Sequence, residues 1–398
     1  MDINLVSWLE LAIRWLHVIT GICWIGSSFY FIWLDNSLTA PEDDKDKAEG
    51  VSGEVWAVHG GGFYHKKKYQ VAPAHMPAEL HWFKWEAYFT WMSGFLLLVL
   101  MYYFGANLYL IDSAKYALQP AQAAAIGLMF IGGSLLFYNL LCESRVGRHN
   151  LLFCAVWFAA LTLAAYFLNQ IFTGRGMYIH IGSMIGTVMA ANVFLTIIPN
   201  QRKVVDALLA GEAPDPRLGK MAKQRSLHNN YMTLPVLLIM TSNHYPVMFG
   251  NPYNWLLLAG MAASGLLVRH FFNQKHKGKE DYFYPLAAGA LFLIVVMAAM
   301  PQTVAPKADG ASVQVSDAEA RAIIRANCVA CHSDMPTHDV VTSAPQGVMF
   351  DKMSEILKFS DRIKARAVDS DTMPPPSEPA MSATDREKLG AWIKAQEK

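Results

Sequence analysis

Two thiols separated by two residues and followed at once by an imidazole form the run Cys328-Val329-Ala330-Cys331-His332. At that spacing the thiols can form thioethers with two vinyl groups of a porphyrin while the imidazole binds its iron, which is the chemistry of c-type haem attachment. The competing reading is a zinc or disulfide pair with an incidental His. It lacks donors, because the five cysteines include no second close pair. Met373 offers the second axial ligand: its thioether precedes Pro374-Pro375, a stiff frame suited to a weak ligand that raises the potential. Met335, Met349, Met353 and Met381 compete with it. Of these, Met335 is too near His332 to wrap round a haem, and Met381 has no proline frame.

The flanking sequence supplies the elements that must position these groups. Ser316 reads as the N-cap of a helix over 317–327, with Ala320, Ile323 and Ile324 on one face. A closing helix over 384–396 carries Leu389, Trp392 and Ile393 at helical spacing. Residues 313–398 therefore resemble a small class I cytochrome c domain with His332 proximal and Met373 distal. A Pro/Ala/Gly/Ser-bearing linker over 301–312 precedes it.

The first 300 residues have a different character. The chain is 53% hydrophobic and 16% charged, with mean hydropathy +0.21; a soluble domain is usually about 25% charged. Its near-balanced charge of +1 argues against a nucleic-acid partner. A lipid bilayer is the expected partner instead, and a spanning helix needs about 20 apolar residues. Eight stretches qualify, near Leu5–Leu34, Trp85–Phe104, Ala121–Leu141, Leu151–Gln170, Tyr178–Pro199, Tyr231–Phe249, Pro252–Phe272 and Tyr282–Met300. The expected fold is thus all-α: an eight-span transmembrane helix bundle over 1–300, then the cytochrome domain. Alternate loops hold eighteen Lys and Arg against two, Lys115 and Arg175. That asymmetry places the Lys-rich loops in the cytoplasm and both termini outside. No cleavable leader is visible at the N-terminus, so the first span reads as a retained anchor.

Polar residues inside spans carry the next expectations, since burial there is costly without a purpose. Arg14, His17, Gly21, Trp24 and Ser28 share one face of the first span; His180, Ser183 and Thr187 share a face of the fifth, beside a Gly182/Gly186 packing patch; His244 ends the sixth. His17, His180 and His244 all fall in the outer half, where a pair could clamp a haem b, bind substrate, relay protons, or simply be hydrogen-bonded core residues. On the cytoplasmic side, His59-Gly60-Gly61-Gly62 reads as a hairpin turn, and Glu86 as a helix-end carboxylate. His149, His228 and His270 are set aside as helix-end residues.

Three segments carry a family resemblance: Arg14 to Gly26, Trp85 to Gly94, and His180 through Asn192 to Arg202. They resemble the bacterial membrane urate hydroxylase family, whose members join eight spans to a C-terminal cytochrome c. The His17…Trp24 pattern is also similar to haem-b-binding protoporphyrinogen oxidases. The first resemblance implies oxidation of urate by water to 5-hydroxyisourate, with electrons leaving through haem c to a soluble cytochrome c or a terminal oxidase and no peroxide formed. Urate is a planar monoanion near neutral pH, so its site needs a cation or N–H donors and a flat wall. Arg14, His17, Trp24 and Asn192 are the candidates. The other reading is a cytochrome-tethered subunit that relays electrons from quinol or a partner complex. A transporter is disfavoured, because the polar residues cluster in one half of the bilayer.

Overall fold

An apolar run placed in lipid must satisfy its own backbone groups, and a continuous helix does so. In the computed structural model, which describes residues 5–70, 73, 76–77, 79–112, 115–300, 315–338, 341, 344–369, 372–375 and 378–396, the chain is mostly helical. Before the tail it forms α1 (Leu5–Ser37), α2 (Asp44–Ala48), the strands β1 (Val51–His59) and β2 (Gly62–Tyr69), α3 (Trp85–Leu98), α4 (Ala106–Tyr109), α5 (Pro120–Glu143) and α6 (Asn150–Ile171). There follow α7 (Gly174–Ala191), α8 (Ile198–Leu209), α9 (Pro216–Ser242), α10 (Pro246–Phe249), α11 (Asn254–Lys275) and α12 (Phe283–Ala299). The expected linker over 301–312 lies outside the described residues.

Five helices among the described residues are long and apolar enough to cross a membrane: Trp8–Ser37, Pro120–Glu143, Asn150–Ile171, Gly174–Leu209 and Asn254–Lys275. The other three expected spans are also helical but depart from that standard. One is α3 continued by a π turn, Val99–Tyr103. One is the back half of α9, whose front half is polar and whose end comes at Ser242, before Phe249. The last, α12, is an apolar helix of 17 residues. The fifth expected span runs on past Pro199. A second π turn, Asn192–Ile197, resets the hydrogen-bond register, and Pro199 falls in the first turn of α8, where its missing N–H matters least.

The helices α7 and α9 form the centre, packed on one another and on α5, α6 and α11. Both bury residues all round instead of along one stripe, as a central helix does. Half of the expected glycine patch does packing work there: a Cβ on Gly182 would lie 2.7 Å from Ile239 Cγ2, whereas one on Gly186 would meet nothing within 4 Å. On the rim, α1 packs on α3, and α12 on α11.

The glycine run does make a hairpin. β1 and β2 pair antiparallel with His59 opposite Gly62, and Gly60 (φ 57°) and Gly61 (φ 80°) take the left-handed conformations that a two-residue turn demands. An ion pair from Lys68 to Asp35 fastens it to the end of α1.

The tail consists of α13 (Asp317–Asn327), α14 (Met353–Lys358), α15 (Ser360–Ile363), a π turn Lys364–Val368 and α16 (Ala383–Gln396). Ser316 caps α13 as expected, accepting from Glu319 N–H at 3.2 Å. Ile323 and Ile324 of α13 pack with Leu389, Trp392 and Ile393 of α16 in a core of the tail's own. Trp392 Nε1–H donates to Asp317 Oδ1 at 2.8 Å, so the indole is buried with its polar atom satisfied.

Candidate functional site

Successive residues on a helix point about 100° apart, so four in a row face nearly every direction. On α9 the four are His228, Asn229, Asn230 and Tyr231, and each bonds to a different neighbour. His228 Nδ1 lies 2.9 Å from Tyr138 OH on α5. Asn229 Oδ1 accepts from Asn192 Nδ2 at 2.8 Å, and its Nδ2 donates to Met189 O at 2.9 Å. Asn230 Oδ1 accepts from Arg269 Nε at 3.0 Å and from Asn273 Nδ2 at 2.9 Å, both on α11. Tyr231 OH lies 2.8 Å from His270 Nδ1.

Asn192 opens the π turn after α7, where the register shift lets a helical side chain reach α9. Its Nδ2 also donates to Tyr138 OH at 2.9 Å, which leaves the phenol proton for His228 Nδ1. Arg225, 3% exposed, has its guanidinium 5.0 Å from the centre of the Tyr138 ring and Nη1 3.4 Å from Asn192 Oδ1. None of its described contacts is a carboxylate.

Of these groups Tyr138, His228, Tyr231, His270 and Asn273 line a cavity of about 1260 Å³ between α9, α6 and α11. His228, Tyr231, Met232, Pro235 and Ile239 line it from α9 at i, i+3, i+4, i+7 and i+11, a single helical face. Two Tyr–His pairs, Tyr138–His228 and Tyr231–His270, flank the polar end, while Trp157, Leu258 and Leu266 belong to the apolar remainder. Phe153 and His228 stack at 4.1 Å and 14°, giving a flat wall. Lys68, Lys223 and Lys277 mark the Lys-rich end of the bundle, where Asp35 is the cavity's one lining carboxylate among the described residues, ion-paired to Lys68 and Lys223.

The expected outer-half residues sit elsewhere. His17 Nδ1 is 2.9 Å from Thr90 O and 3.2 Å from Ser93 Oγ, closing the α1–α3 seam. Arg14 pairs with Glu10 and places Nη2 3.1 Å from Met101 Sδ, and Trp24 packs against the apolar core. His180 is fully buried, its Nδ1–H donating to Gly176 O at 2.8 Å and its Nε2 3.4 Å from Tyr103 OH. His244 is exposed in the turn after α9. Of the four substrate-site candidates only Asn192 joins the buried polar cluster.

The haem b expectation meets a steric problem at the same residues. A Cβ on Gly94 would lie 2.7 Å from His17 Cε1, and one on Gly127 2.3 Å from His180 Nε2. Both rings are pressed against glycines of neighbouring helices, close contacts that a haem b at either residue would have to displace. One outcome follows directly: Gly127→Ala overpacks His180 and Tyr103 and should cost about 1–3 kcal/mol, read as a lowered melting temperature in detergent.

Residues 3–300 match the urate oxidase N-terminal family. The chain belongs to that family. No curated protein and no solved structure matches it. Membership gives the cavity a context the sequence reading lacks, because that reading sets His228 and His270 aside as helix-end residues, places Asn230 only on the face that leads to His244, and does not single out Tyr138, Asn229 or Asn273. A run of His-Asn-Asn-Tyr just before an apolar stretch was the available signal.

The family match ends at 300, so the chemistry of the tail rests on its own residues. α13 stops at Asn327, and the turn beyond it bonds Cys331 N–H and His332 N–H to Cys328 O at 3.2 and 2.9 Å. His332 Nδ1–H donates to Val348 O at 2.9 Å, which orients the ring and leaves Nε2 as the metal-binding nitrogen. Burial pushes the Cys328 thiol up to about 12, raises that of Cys331, and lowers His332. Met373 is pinned through its backbone, N–H to Arg366 O at 2.9 Å and O from Arg386 Nη1 at 3.2 Å, with its side chain against the tail core. Among its competitors Met335 is 78% exposed and Met381 is only 4% exposed, inside the core. Asp371, next to this segment, lies outside the described residues. Two thiols, an imidazole with Nε2 available and a backbone-fixed thioether fit the donor set of haem c.

Proposed function

We propose that the protein is a membrane urate hydroxylase that oxidises urate in the cavity at the Lys-rich end and delivers electrons through a haem c in its tail. The observation that carries this reading, beside the family match, is the two Tyr–His hydrogen bonds lining one cavity, with His228 stacked on Phe153 and the buried Arg225 over the Tyr138 ring. The reaction needs that equipment. Urate monoanion and water give 5-hydroxyisourate, one proton and two electrons, so a C–O bond forms while water loses a proton. His228 is suited to take that proton. Because its Nδ1 already accepts from Tyr138, the proton reaches it through the phenol: the Tyr138 oxygen, which also lines the cavity, takes the proton from water as its own proton passes to Nδ1. The Phe153–His228 wall matches a planar heterocycle, and the cationic surroundings favour an anion.

Cys328 and Cys331 would hold the haem by thioethers, with His332 and Met373 as its axial ligands, and its chemistry would be one-electron acceptance, twice per urate. On this reading the helices form eight spans in a bacterial inner membrane with both termini periplasmic, and a soluble cytochrome c or terminal oxidase takes the electrons onward.

A second reading has its own support. Most of the cavity is apolar, with the polar groups at one end, which is also the shape of a site for a quinol head and tail. Aerobic incubation with urate separates the two. Loss of urate absorbance together with growth of a reduced c-type α band, without peroxide, is the expected result. An α band that responds to quinol and ignores urate would replace the hydroxylase reading with electron relay.

A further inference from the structure

The cavity is long, and it is charged at one end only. On α11 its lining runs from Trp255 to Gln274, about 30 Å of helix. Its lining Lys, Arg, Asp and Glu side chains, among the described residues, are Asp35 near the end of α1, Lys68 on β2, Lys223 near the start of α9 and Lys277 just beyond α11. All four stand at the same end of the bundle. At the opposite end the lining is Ala165, Ile181, Ile239 and Trp255.

The tail sits against that opposite end. Its π turn, Lys364–Val368, packs on α10. Two bonds fasten α10 to the ends of α7 and α11 that lie far from the lysines: Tyr178 OH donates to Met248 O at 3.3 Å, and Asn254 Nδ2 to Phe249 O at 2.9 Å. Met373 N–H in turn bonds Arg366 O of the π turn, so the proposed axial ligand is held on the same side.

Asp35 pairs with Lys68 and, at 3.3 Å, with Lys223, tying the hairpin, α1 and α9 together along one side of the charged end. Lys277 is exposed and has no ion pair among the described residues. Three lysines against one carboxylate leave this end with a net positive charge. An anion arriving past the apolar end, or sideways from lipid, would shed its water against hydrocarbon. At the lysine end it meets a favourable potential first.

We infer that urate enters from the face opposite the tail, through a mouth at which Lys277 steers the anion toward the Tyr138–His228 pair. This rests on the urate reading above and deepens it by fixing the side of entry. Substrate and the acceptor that draws electrons from the tail are then met on opposite faces of the membrane. A lysine that served only to orient the chain in the membrane would leave urate kinetics untouched.

The test uses the full-length protein in sealed, anaerobic membrane vesicles of both orientations, assigned in parallel samples by whether added protease removes the tail. In tail-protected vesicles added urate should reduce the haem c at once. In tail-exposed vesicles it should do so only after detergent opens them. With purified protein at low ionic strength, Lys277→Glu should lower kcat/KM for urate about tenfold with kcat little changed, and should slow urate association with the reduced protein by a similar factor. Lys277→Gln should fall between. Both gaps should close near 1 M salt, where the screening length is about 3 Å. An equal urate response from sealed tail-exposed vesicles, or Lys277→Glu within about twofold of wild type at low salt, overturns the mouth and leaves the hydroxylase reading standing. No haem reduction by urate in either orientation, even after detergent, overturns both.

Discussion

Serine at both 328 and 331 should give a protein with no covalent haem and no urate-dependent electron output. The two thiols stand either side of one turn after α13, with His332 held by Val348 O so that only Nε2 is left for a metal. Removing the thioethers leaves only the axial ligands His332 and Met373 to retain a haem, and a pyridine haemochrome spectrum should lose its c-type band entirely. The helices α13 and α16 pack through Ile324, Leu389 and Trp392; Cys328 packs against that core, but serine nearly keeps its volume, so far-ultraviolet dichroism should change little. Retention of a covalent c-type spectrum in the double variant would place the attachment elsewhere. Met373 and Met381 provide the internal comparison. Met373→Ala should keep the haem and lose methionine ligation, seen as loss of the methionine-to-iron charge-transfer band. Met381→Ala should keep the ligation and cost about 2–5 kcal/mol of tail stability, because that side chain fills the core.

The tail's helices and turn are legible in sequence, whereas the polar cluster beside the cavity is not. Cys328, Cys331 and His332 are neighbours in the chain, their spacing already encodes one turn, and Ser316 announces the helix before them. The Gly60-Gly61 turn is local in the same way, since only its own two φ angles decide it. Asn192, Tyr138 and Asn229 become one cluster only when α5, α7 and α9 are packed together. A central helix buried all round carries no amphipathic stripe to mark a functional face, so periodicity is silent there. The stripe that periodicity did find, through Arg14, His17 and Trp24, belongs to α1, and its polar groups are absorbed in the seam with α3 and within α1 itself. The π turn at Asn192 is equally hidden, because no residue type signals the shift in register that turns this side chain inward.

His228→Phe is the variant on which the proposed chemistry turns. Phenylalanine can keep the stack on Phe153 and much of the ring volume, but it cannot accept the proton that Tyr138 would pass on from water. If His228 is the general base, kcat should fall about 10²–10⁴-fold, with urate affinity of the reduced protein nearly unchanged. The pH profile supplies the sign. A base works only when unprotonated, so wild-type turnover should decline toward low pH as His228 takes its proton in advance, and the variant should lose that acidic limb. Tyr138→Phe should fall between the two, because it removes the partner of Nδ1 but keeps the imidazole. Stopped-flow mixing with urate isolates the step, since haem reduction reports electron release before any external acceptor is involved. Should His228→Phe reduce its haem at the wild-type rate, the base lies across the cavity, and His270→Phe, which breaks the Tyr231 pair, becomes the variant that must show the loss.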